Sequence, residues 1–460
     1  MSGRASGTRE GGDVAVPLAH VSLVRQTLLG LVFRGGAVML AFASQVVVAR
    51  ALGVAGFGTY VTILAWATLL SLLAGAGLTQ AAIRFLAGYA ETLDWASYRG
   101  FMRLAAGAVA GSGILVGLGA VALFAAVPSL RPALGAMATG MLLIVLFGAS
   151  MLVQSAQIAA HQPLRGELAN NVLRSVLVMA LVGGAWWVGA APDVESALAL
   201  TVLAGLLTVL VQAGGWWQAT GAHWRGRADW RARPAWLASG RAYLIATAAY
   251  ALVERLDTIL LAALVGPAEV GPYSVAARLA LLVSVAVTPI SAIASASAAQ
   301  LLARGDQAGL QRLMAQTALL FSLSGVALAL VLVLATPWLL GAFGAGFVEV
   351  RATVAVLMLG QAAVACAGPA GALLAIAGRN RVLIGIMLAA VVADIVLCIV
   401  LIPLFGSTGA AVATTVSLAG SAIALAVAAR RLLGIDTTLL AGVAWLVGQA
   451  VARAATKSGR

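Results

Sequence analysis

Long apolar runs, separated by short stretches that contain Arg, Pro and Gly, follow one another along most of the chain. A helix needs about 20 apolar residues to cross the hydrocarbon core of a bilayer, and runs of this length recur from residue 22 onward. The pattern predicts twelve crossing helices, at about 22–50, 59–86, 100–127, 135–160, 169–190, 196–218, 237–264, 271–302, 312–336, 350–377, 380–403 and 407–430. A further apolar run at 437–452 is short for a crossing, so a thirteenth, a partial and an interfacial helix all stay open.

The positive charges predict the orientation of these helices. Of the 28 Lys and Arg residues, 23 lie in the leader and the start of the first helix, in or beside the even-numbered connections, or in the C-terminal tail, with Arg174 counted beside the fourth connection. In or beside the odd-numbered connections there are only Arg50, Arg131 and Arg351. Because cytoplasmic loops carry the excess of Lys and Arg, we expect the N-terminus and the even connections to be cytoplasmic. Residues 1–20 lack the apolar core of a signal peptide and are predicted to be a disordered cytoplasmic leader.

Composition excludes several classes of protein. With 62% hydrophobic residues, 9% charged residues and a mean hydropathy of +1.04, the chain is not a soluble globular protein. Its only lysine, Lys457, lies in the tail, which excludes a phosphate-binding loop of its own and a retinal Schiff base within the helices. Three scattered histidines give no metal-ligand spacing, and Cys366 and Cys398 lie in apolar runs as packing residues. We expect no cofactor, no metal and no nucleic acid partner.

The two halves of the chain repeat each other. Residues 53–60 and 266–273 share four identities at an offset of 213, including Gly58 with Gly271 and Tyr60 with Tyr273. Further matches follow at 94–102 with 306–314, offset 212, and at Arg165 with Arg379, offset 214. Because six helices are an even number, the second half re-enters the membrane in the same orientation, as in transporters built from parallel repeats.

The repeat predicts an all-α polytopic membrane protein with two parallel six-helix bundles. The predicted units are the leader, an N-terminal bundle at 21–218, a cytoplasmic linker at 219–240, a C-terminal bundle at 241–431 and a C-terminal apolar segment with a basic tail at 432–460. The five arginines between 225 and 241 are interpreted as anchors for membrane lipid headgroups.

The motifs resemble a known family. The stretch 49–60, Ala-Arg-Ala-Leu-Gly-x-x-Gly-x-Gly-x-Tyr, and the following Gly75-Ala-Gly77-Leu78 look like the first two helices of bacterial polysaccharide-lipid flippases. These are the Wzx-type branch of the multidrug/oligosaccharidyl-lipid/polysaccharide (MOP) exporter superfamily. Glu254-Arg255-Leu-Asp257 and the stretch 270–278 are similar to that family's seventh and eighth helices. The resemblance covers about residues 22 to 430.

The resemblance implies a MATE-like fold in which two bundles form a V around a central cavity. It implies that an undecaprenyl-pyrophosphate-linked oligosaccharide passes from the cytoplasmic to the outer leaflet of the bacterial inner membrane. A coupling ion, H⁺ or Na⁺, and contact with other membrane proteins of polysaccharide assembly fit the same picture. The glycan and the ion do not follow from the resemblance.

Charges at membrane depth are costly and therefore mark candidate sites. Glu254, Arg255 and Asp257 lie on the seventh predicted helix and Arg278 on the eighth. With helices ending at 264 and beginning at 271, Asp257 and Arg278 are each predicted to lie about 10 Å below the outer surface, where they can meet. The group is interpreted as an ion or proton site, as an outer gate whose pairing depends on conformation, or as a static network that fixes helix packing.

Two further sets of charges complete the predicted site. Arg34 and Arg84 lie at the cytoplasmic ends of the first two helices, where arginine can bind pyrophosphate bidentately, although snorkelling explains them equally. With Arg255 and Arg278 they form the predicted phosphate-binding set. Asp394 stands near the middle of the eleventh helix as a second proton-site candidate with no partner predicted. Weak points are expected at 75–77, Pro289 and Pro369.

Three alternatives to a polysaccharide-precursor flippase stay open at this stage. A lipid II flippase and a cation-coupled multidrug exporter would keep the same fold. The excess of arginine over carboxylate at membrane depth weighs against the exporter. A polytopic glycosyltransferase, polymerase or ligase would need large outer loops, whereas the outer connections here are short and nearly uncharged.

Overall fold

The structure is a computed structural model that describes residues 18–126 and 134–458. Side chains are described from residue 35 onward, except at 163, 242, 245–254, 285–286, 292, 450 and 452–458. Residues 1–17 of the predicted leader lie outside the described residues. We call the end of the bundle that carries the even-numbered connections the inner end and the opposite end the outer end, following the predicted orientation.

Helices account for nearly all of the described chain. The first half contains α1 (Leu18–Ala74), α2 (Leu78–Glu91), α3 (Trp95–Ala126), α4 (Leu134–Ala159), α5 (Pro163–Glu167), a π-helix (Leu168–Leu173), α6 (Arg174–Trp187) and α7 (Val194–Thr220). After a short 3₁₀ turn, the second half contains α8 (Arg233–Leu264), α9 (Pro267–Arg304), α10 (Gln307–Phe343), α11 (Arg351–Ala367), α12 (Ala370–Ile376), α13 (Asn380–Leu433) and α14 (Leu439–Ser458).

All twelve predicted helices fall on helical segments, and glycines with positive φ separate several of them. Gly53 (φ 70°) breaks α1 between the first and second predicted helices, and Gly406 (φ 56°) breaks α13 between the last two. Within the described residues, nine helices are long and apolar enough to cross a membrane. The all-α polytopic fold is therefore confirmed, while the number of crossings stays a prediction.

Two of the three expected weak points interrupt a helix. The second predicted helix breaks at 75–77, where Ala76 and Gly77 have positive φ, and the tenth breaks at Gly368 (φ 71°), directly before Pro369. By contrast, α9 continues through Pro289 as a helix. One proline removes a single backbone hydrogen bond, and the long helix on either side keeps the segment helical.

The repeat seen in the sequence recurs in the contacts. The Tyr60 hydroxyl lies 2.9 Å from Thr201 Oγ1, and the Tyr273 hydroxyl lies 3.4 Å from Thr414 Oγ1, so both members of the pair shift by the same 213 positions. Each half therefore joins its second predicted helix to its sixth by the same tyrosine–threonine contact. The boundaries of the two bundles stay a prediction.

The connection between α7 and α8 is ordered against the first half. Arg99 donates to the carbonyl oxygens of His223 (2.5 Å) and Arg227 (2.9 Å), and the Asp229 amide donates to Ala96 O (3.0 Å). Trp236, in the first turn of α8, is fully buried among side chains of α2 and α3. The predicted linker is thus held to the first half rather than suspended between the halves.

The C-terminal segment is likewise held by hydrogen bonds, here to α10 of the second half. Gln311 and the backbone of Asp436 exchange two hydrogen bonds, of 3.0 and 2.8 Å, and Thr437 is fully buried. Beyond this turn, α14 packs on α10, with Gly442 close to Ala315 O. Whether α14 crosses the membrane stays open.

Candidate functional site

Three arginines from different helices converge between the two halves. Arg278 on α9 interacts electrostatically with Arg255 on α8 and with Arg174 on α6, and all three side chains are half-buried. Tyr60, on the second part of α1, interacts with both Arg174 and Arg278. We call Arg174, Arg255 and Arg278 the arginine cluster.

Two of the arginines have limited local compensation. The Nε atom of Arg255 is buried and has no hydrogen bond partner among the described residues. The Arg174 guanidinium lies 5.3 Å from the centre of the Phe147 ring, which faces it with π electrons rather than with a carboxylate. Asp257 interacts electrostatically with Arg255, so among the described residues three cations converge near one carboxylate. Such an excess of positive charge in a membrane interior is suited to receive an anion from outside the chain.

A π-helix helps to position Arg174. The six residues Leu168–Leu173 are wound as a π-helix directly before Arg174. π-turns rotate the residues that follow them relative to a regular α-helix and are frequent at functional sites. The sequence analysis does not select Arg174 as a site residue, because it counts this arginine with the charges of the fourth connection. Its position inside the predicted helix at 169–190 was the available signal.

Asp257 accepts hydrogen bonds from α9 and from its own helix. The Tyr273 hydroxyl donates to Asp257 Oδ2 at 2.6 Å, and the Thr258 amide donates to Oδ1 at 2.6 Å. The expected meeting of Asp257 with Arg278 is wrong. Because α9 begins at Pro267, four residues earlier than predicted, Tyr273 lies about 9 Å along α9 and matches the depth of Asp257, whereas Arg278 lies about 16 Å along it.

Asp257 is the neighbour of Asp394 that the sequence does not predict. Asp394 and Asp257 interact electrostatically, with Cys398 close to both. Asp394 lies beside Ser417, and its Oδ1 atom is buried without a hydrogen bond among the described residues. We call Asp257 and Asp394 the carboxylate pair. The pair is specific to the second half, because the residue of the first half that corresponds to Asp257 is Ser44, which carries no charge.

Of the remaining predicted site residues, the structure describes the side chain of Arg84 alone. It is exposed in the middle of α2, with its guanidinium 5.6 Å from the centre of the Phe85 ring. The side chains of Arg34 and Glu254 lie outside the described residues. Among the described residues, no group of three or more His, Cys, Asp or Glu could hold a metal ion.

Beyond the arginine cluster, the two halves close the outer end through their backbones. A Cβ atom at Gly58 would overlap the carbonyl oxygen of Pro267, and a Cβ atom at Gly271 would lie 2.8 Å from that of Val54. The contact is reciprocal, because Val54 and Gly58 correspond to Pro267 and Gly271 at the offset of 213. It therefore lies on the pseudo-two-fold axis of the repeat. We call it the glycine contact.

Aromatic rings and one arginine extend this closure. Phe57 is fully buried, with its ring centre 5.9 Å from that of Phe347 and 6.4 Å from that of Phe343 in the other half. Arg50 donates from Nε to Ala342 O at 2.6 Å, at the carboxyl end of α10. A chain that is sealed at its outer end exposes a central site, if at all, from the inner end.

Comparison with solved structures identifies the fold. Over 91% of either chain, the protein is similar to the lipid II flippase MurJ in an inward closed conformation, with a TM-score of 0.73 and 13% identity. An inward-facing MATE family multidrug resistance transporter of the MOP superfamily gives a TM-score of 0.68 at 14% identity, over 86% of this chain and 94% of that one. A MOP superfamily transporter from Pyrococcus furiosus gives 0.55 at 13% identity, over 86% and 95%.

Sequence comparison adds the family. No curated protein matches the chain. A family described as polysaccharide biosynthesis protein matches residues 23–296, which is more than half of the chain and includes the stretch 49–60, Asp257 and Arg278. The resemblance drawn from the motifs is thereby confirmed. The chain belongs to the polysaccharide biosynthesis protein family and has the fold of the MOP superfamily transporters.

Proposed function

We propose that the protein flips an undecaprenyl-pyrophosphate-linked oligosaccharide, a polysaccharide repeat unit, from the inner to the outer leaflet. The observation that carries this proposal is the arginine cluster, in which Arg174, Arg255 and Arg278 converge between the two halves. Guanidinium groups bind pyrophosphate oxygens bidentately and keep their charge at membrane depth. The substrate anion would balance the positive charge that exceeds what the Asp257 carboxylate supplies.

The glycan and the lipid tail would extend from this anchor. With the outer end sealed by the glycine contact, the substrate enters from the inner leaflet, and release requires the two halves to separate at that contact. Arg84, exposed on α2, and Arg34 would attract the pyrophosphate before it reaches the cluster. This assigns the protein to the bacterial inner membrane with a cytoplasmic N-terminus.

The carboxylate pair would couple transport to an ion gradient. Two neighbouring carboxylates in a membrane interior favour binding of a proton or a monovalent cation, because like charges at short distance destabilise each other. Arg255 interacts with both Asp257 and Arg278, so it connects the pair with the arginine cluster. Binding of a cation at the pair and of pyrophosphate at the cluster would influence each other through Arg255. Glu254, one residue before Arg255, would belong to the same coupling group.

Transport rather than catalysis is supported by the family and by the fold. A lipid II flippase would need the same pyrophosphate anchor and differs in the glycan. A drug exporter fits less well, because the excess of arginine over carboxylate makes the candidate site more cationic than we expect for such an exporter. Other membrane proteins of polysaccharide assembly would take the flipped unit at the outer face.

Lipid analysis of a deletion strain tests the proposal. We expect completed lipid-linked units to accumulate on the cytoplasmic face, and expect wild-type protein but not Arg278→Ala or Arg174→Ala to relieve the accumulation. Arg103→Ala, at an exposed arginine of α3, serves as the matched control and should restore export. Units that reach the outer face but stay unpolymerised would instead indicate an enzyme, and an unchanged lipid profile would indicate export of another substrate.

A further inference from the structure

A pocket of about 410 Å³ opens at the inner end of the first half. Its lining contains no residue of the arginine cluster or of the carboxylate pair. The residues that give it chemical character are Glu91, Trp95, Tyr98, His161, Gln162 and Thr220, and small alanines make up the rest. The pocket is therefore separate from the path proposed for the lipid-linked substrate.

Three helices end at this pocket. Glu91 closes α2, Ala159 closes α4 and Thr220 closes α7, and all three residues line the pocket. The carboxyl end of a helix carries a partial negative charge, and a carboxylate in the last turn adds to it unfavourably. Glu91 is thus placed where helix stability disfavours it. A bound cation would turn both effects into attraction.

Two aromatic rings form a wall that also suits a cation. Trp95 is stacked on His223 with ring centres 3.8 Å apart, so that one of its faces is covered. Tyr98, whose ring centre lies 5.4 Å from that of Trp95, is buried, and its hydroxyl accepts a hydrogen bond from Trp216. The half-buried Trp95 indole lines the pocket together with the Glu91 carboxylate, with the buried Tyr98 ring packed behind it, and the face of an indole ring attracts an ammonium group.

The rim of the pocket carries the opposite charge. Gln162 accepts a hydrogen bond from the exposed Arg165 at 3.3 Å, and the exposed His161 lies next to it. An anion attached to the ammonium group by a short linker would meet these groups. The pocket therefore fits a zwitterion whose ammonium enters first and whose phosphate stays at the rim.

The second half shows that the fold does not require this cavity. In the register of the repeat, Tyr98 corresponds to Leu310, Ala159 and Ala160 to Leu373 and Leu374, and Thr220 to Leu433. Those leucines form a packed core cluster together with Ile435, which is 2% exposed. The first half keeps open a space that the second half fills with its own side chains.

We propose that this pocket binds the ammonium group of a zwitterionic phosphoethanolamine headgroup. The headgroup could come from a phospholipid of the inner leaflet or from a soluble phosphoethanolamine compound. The proposal depends on the geometry of the pocket and on no assumption about the flipped substrate. Its failure would leave the proposed flippase function untouched, and the reverse holds as well.

Binding to the purified protein in detergent micelles tests it, with short-chain phosphatidylethanolamine as the probe and native mass spectrometry as the readout. We expect Glu91→Gln to weaken binding about tenfold, because a charged hydrogen bond is lost. Glu349→Gln, at an exposed glutamate of the outer end, is the matched control and should bind as the wild type does. Since Glu91 is exposed, the substitution should leave the fold intact.

Two further probes identify the chemistry and the source. N-acetylated phosphatidylethanolamine lacks the positive charge, and we expect it not to bind. Displacement of the lipid by millimolar soluble phosphoethanolamine would show that the headgroup alone suffices, whereas resistance to displacement would identify the phospholipid as the ligand. Equal binding of the acetylated lipid, or unchanged binding by Glu91→Gln, would overturn the proposal.

Discussion

Adding one methyl group at Gly58 perturbs the closure of the outer end without changing any charge. The new Cβ atom would overlap Pro267 O, so α1 and α9 must separate before they can pack again. At the reciprocal position, a Cβ atom at Gly271 would lie 2.8 Å from Val54 O, and ordinary contact begins at 3.4 Å, which requires a shift of about 0.6 Å. The Gly58→Ala variant requires a larger shift than Gly271→Ala does.

The size of the effect follows from the cost of overpacking. An extra methylene in a well-packed contact typically costs about 1 to 3 kcal/mol. The cost applies only while the outer end is closed, because the contact does not exist once the halves separate. A difference of about 1 to 3 kcal/mol between two states shifts their ratio about 5- to 150-fold. We expect Gly58→Ala to raise the population of the outward-open state by a factor in this range, and Gly271→Ala by less.

Labelling of a single cysteine measures this population. With Cys366 and Cys398 replaced by alanine, Ala65→Cys places a thiol about 10 Å deeper along α1 than Gly58. Ala65 is 3% exposed in the closed form. A membrane-impermeant thiol reagent applied from the outside should react faster in the Gly58→Ala background, in proportion to the shift in population.

Gly56→Ala is the matched control for this experiment. A Cβ atom at Gly56 would meet Leu52 at 3.2 Å and Val194 at 3.5 Å, both within the first half. It adds the same methyl group two residues away without touching α9. The reasoning is refuted if Gly58→Ala and Gly56→Ala give the same labelling rate in protein that is inserted and folded.

Three shorter predictions address the carboxylate pair and the inner connections. Tyr273→Phe removes the hydroxyl that donates to Asp257, and we expect export to slow about tenfold, whereas Tyr243→Phe, at an exposed tyrosine of α8, should export nearly normally. Arg99→Ala removes the bonds to the connection between α7 and α8, and limited trypsin digestion should cleave that connection sooner. Hydrogen bonds from the serine three residues later lower the pKa of Asp94. The stabilisation by the ionised Asp94 is therefore present above its unfolded pKa and lost as the pH falls through its folded pKa. At pH 7, Asp94→Ala should lower the free energy of unfolding by about 1 kcal/mol, the loss of a helix cap, and lower Tm with it. Near pH 2 the substitution should have little effect on Tm.

The helices could be predicted because a membrane makes the hydrophobic signal strong. Each apolar run must satisfy its backbone internally, so a run of about 20 residues has little choice but a helix. Boundaries were less certain: α9 begins at Pro267, not at 271, since proline is well suited to the first turn of a helix. That shift of four residues was enough to exchange the partner of Asp257 from Arg278 to Tyr273.

The candidate site was predicted in part. Arg255, Arg278, Asp257 and Asp394 were singled out because charge at membrane depth is rare, and the structure brings them into two neighbouring groups. Which groups they join depends on how α6, α8, α9 and α13 pack, and no local pattern encodes that. Arg174 was missed for a related reason. An arginine near the end of an apolar run looks the same in the sequence whether it belongs to an inner connection or to a central site.

The repeat divides its features into those that both halves share and those that only one half has. The glycine contact and the tyrosine–threonine contact are shared, and both lie where the halves meet or where a half is held together. Among the described residues, the carboxylate pair lies in the second half, and the pocket proposed to bind an ammonium group lies in the first. A closure on a pseudo-two-fold axis must be symmetric to fit both partners. Binding has no such requirement, so each half was free to acquire a different chemistry. The glycine contact is therefore the feature we expect to move, and the unshared features are the ones we expect to bind.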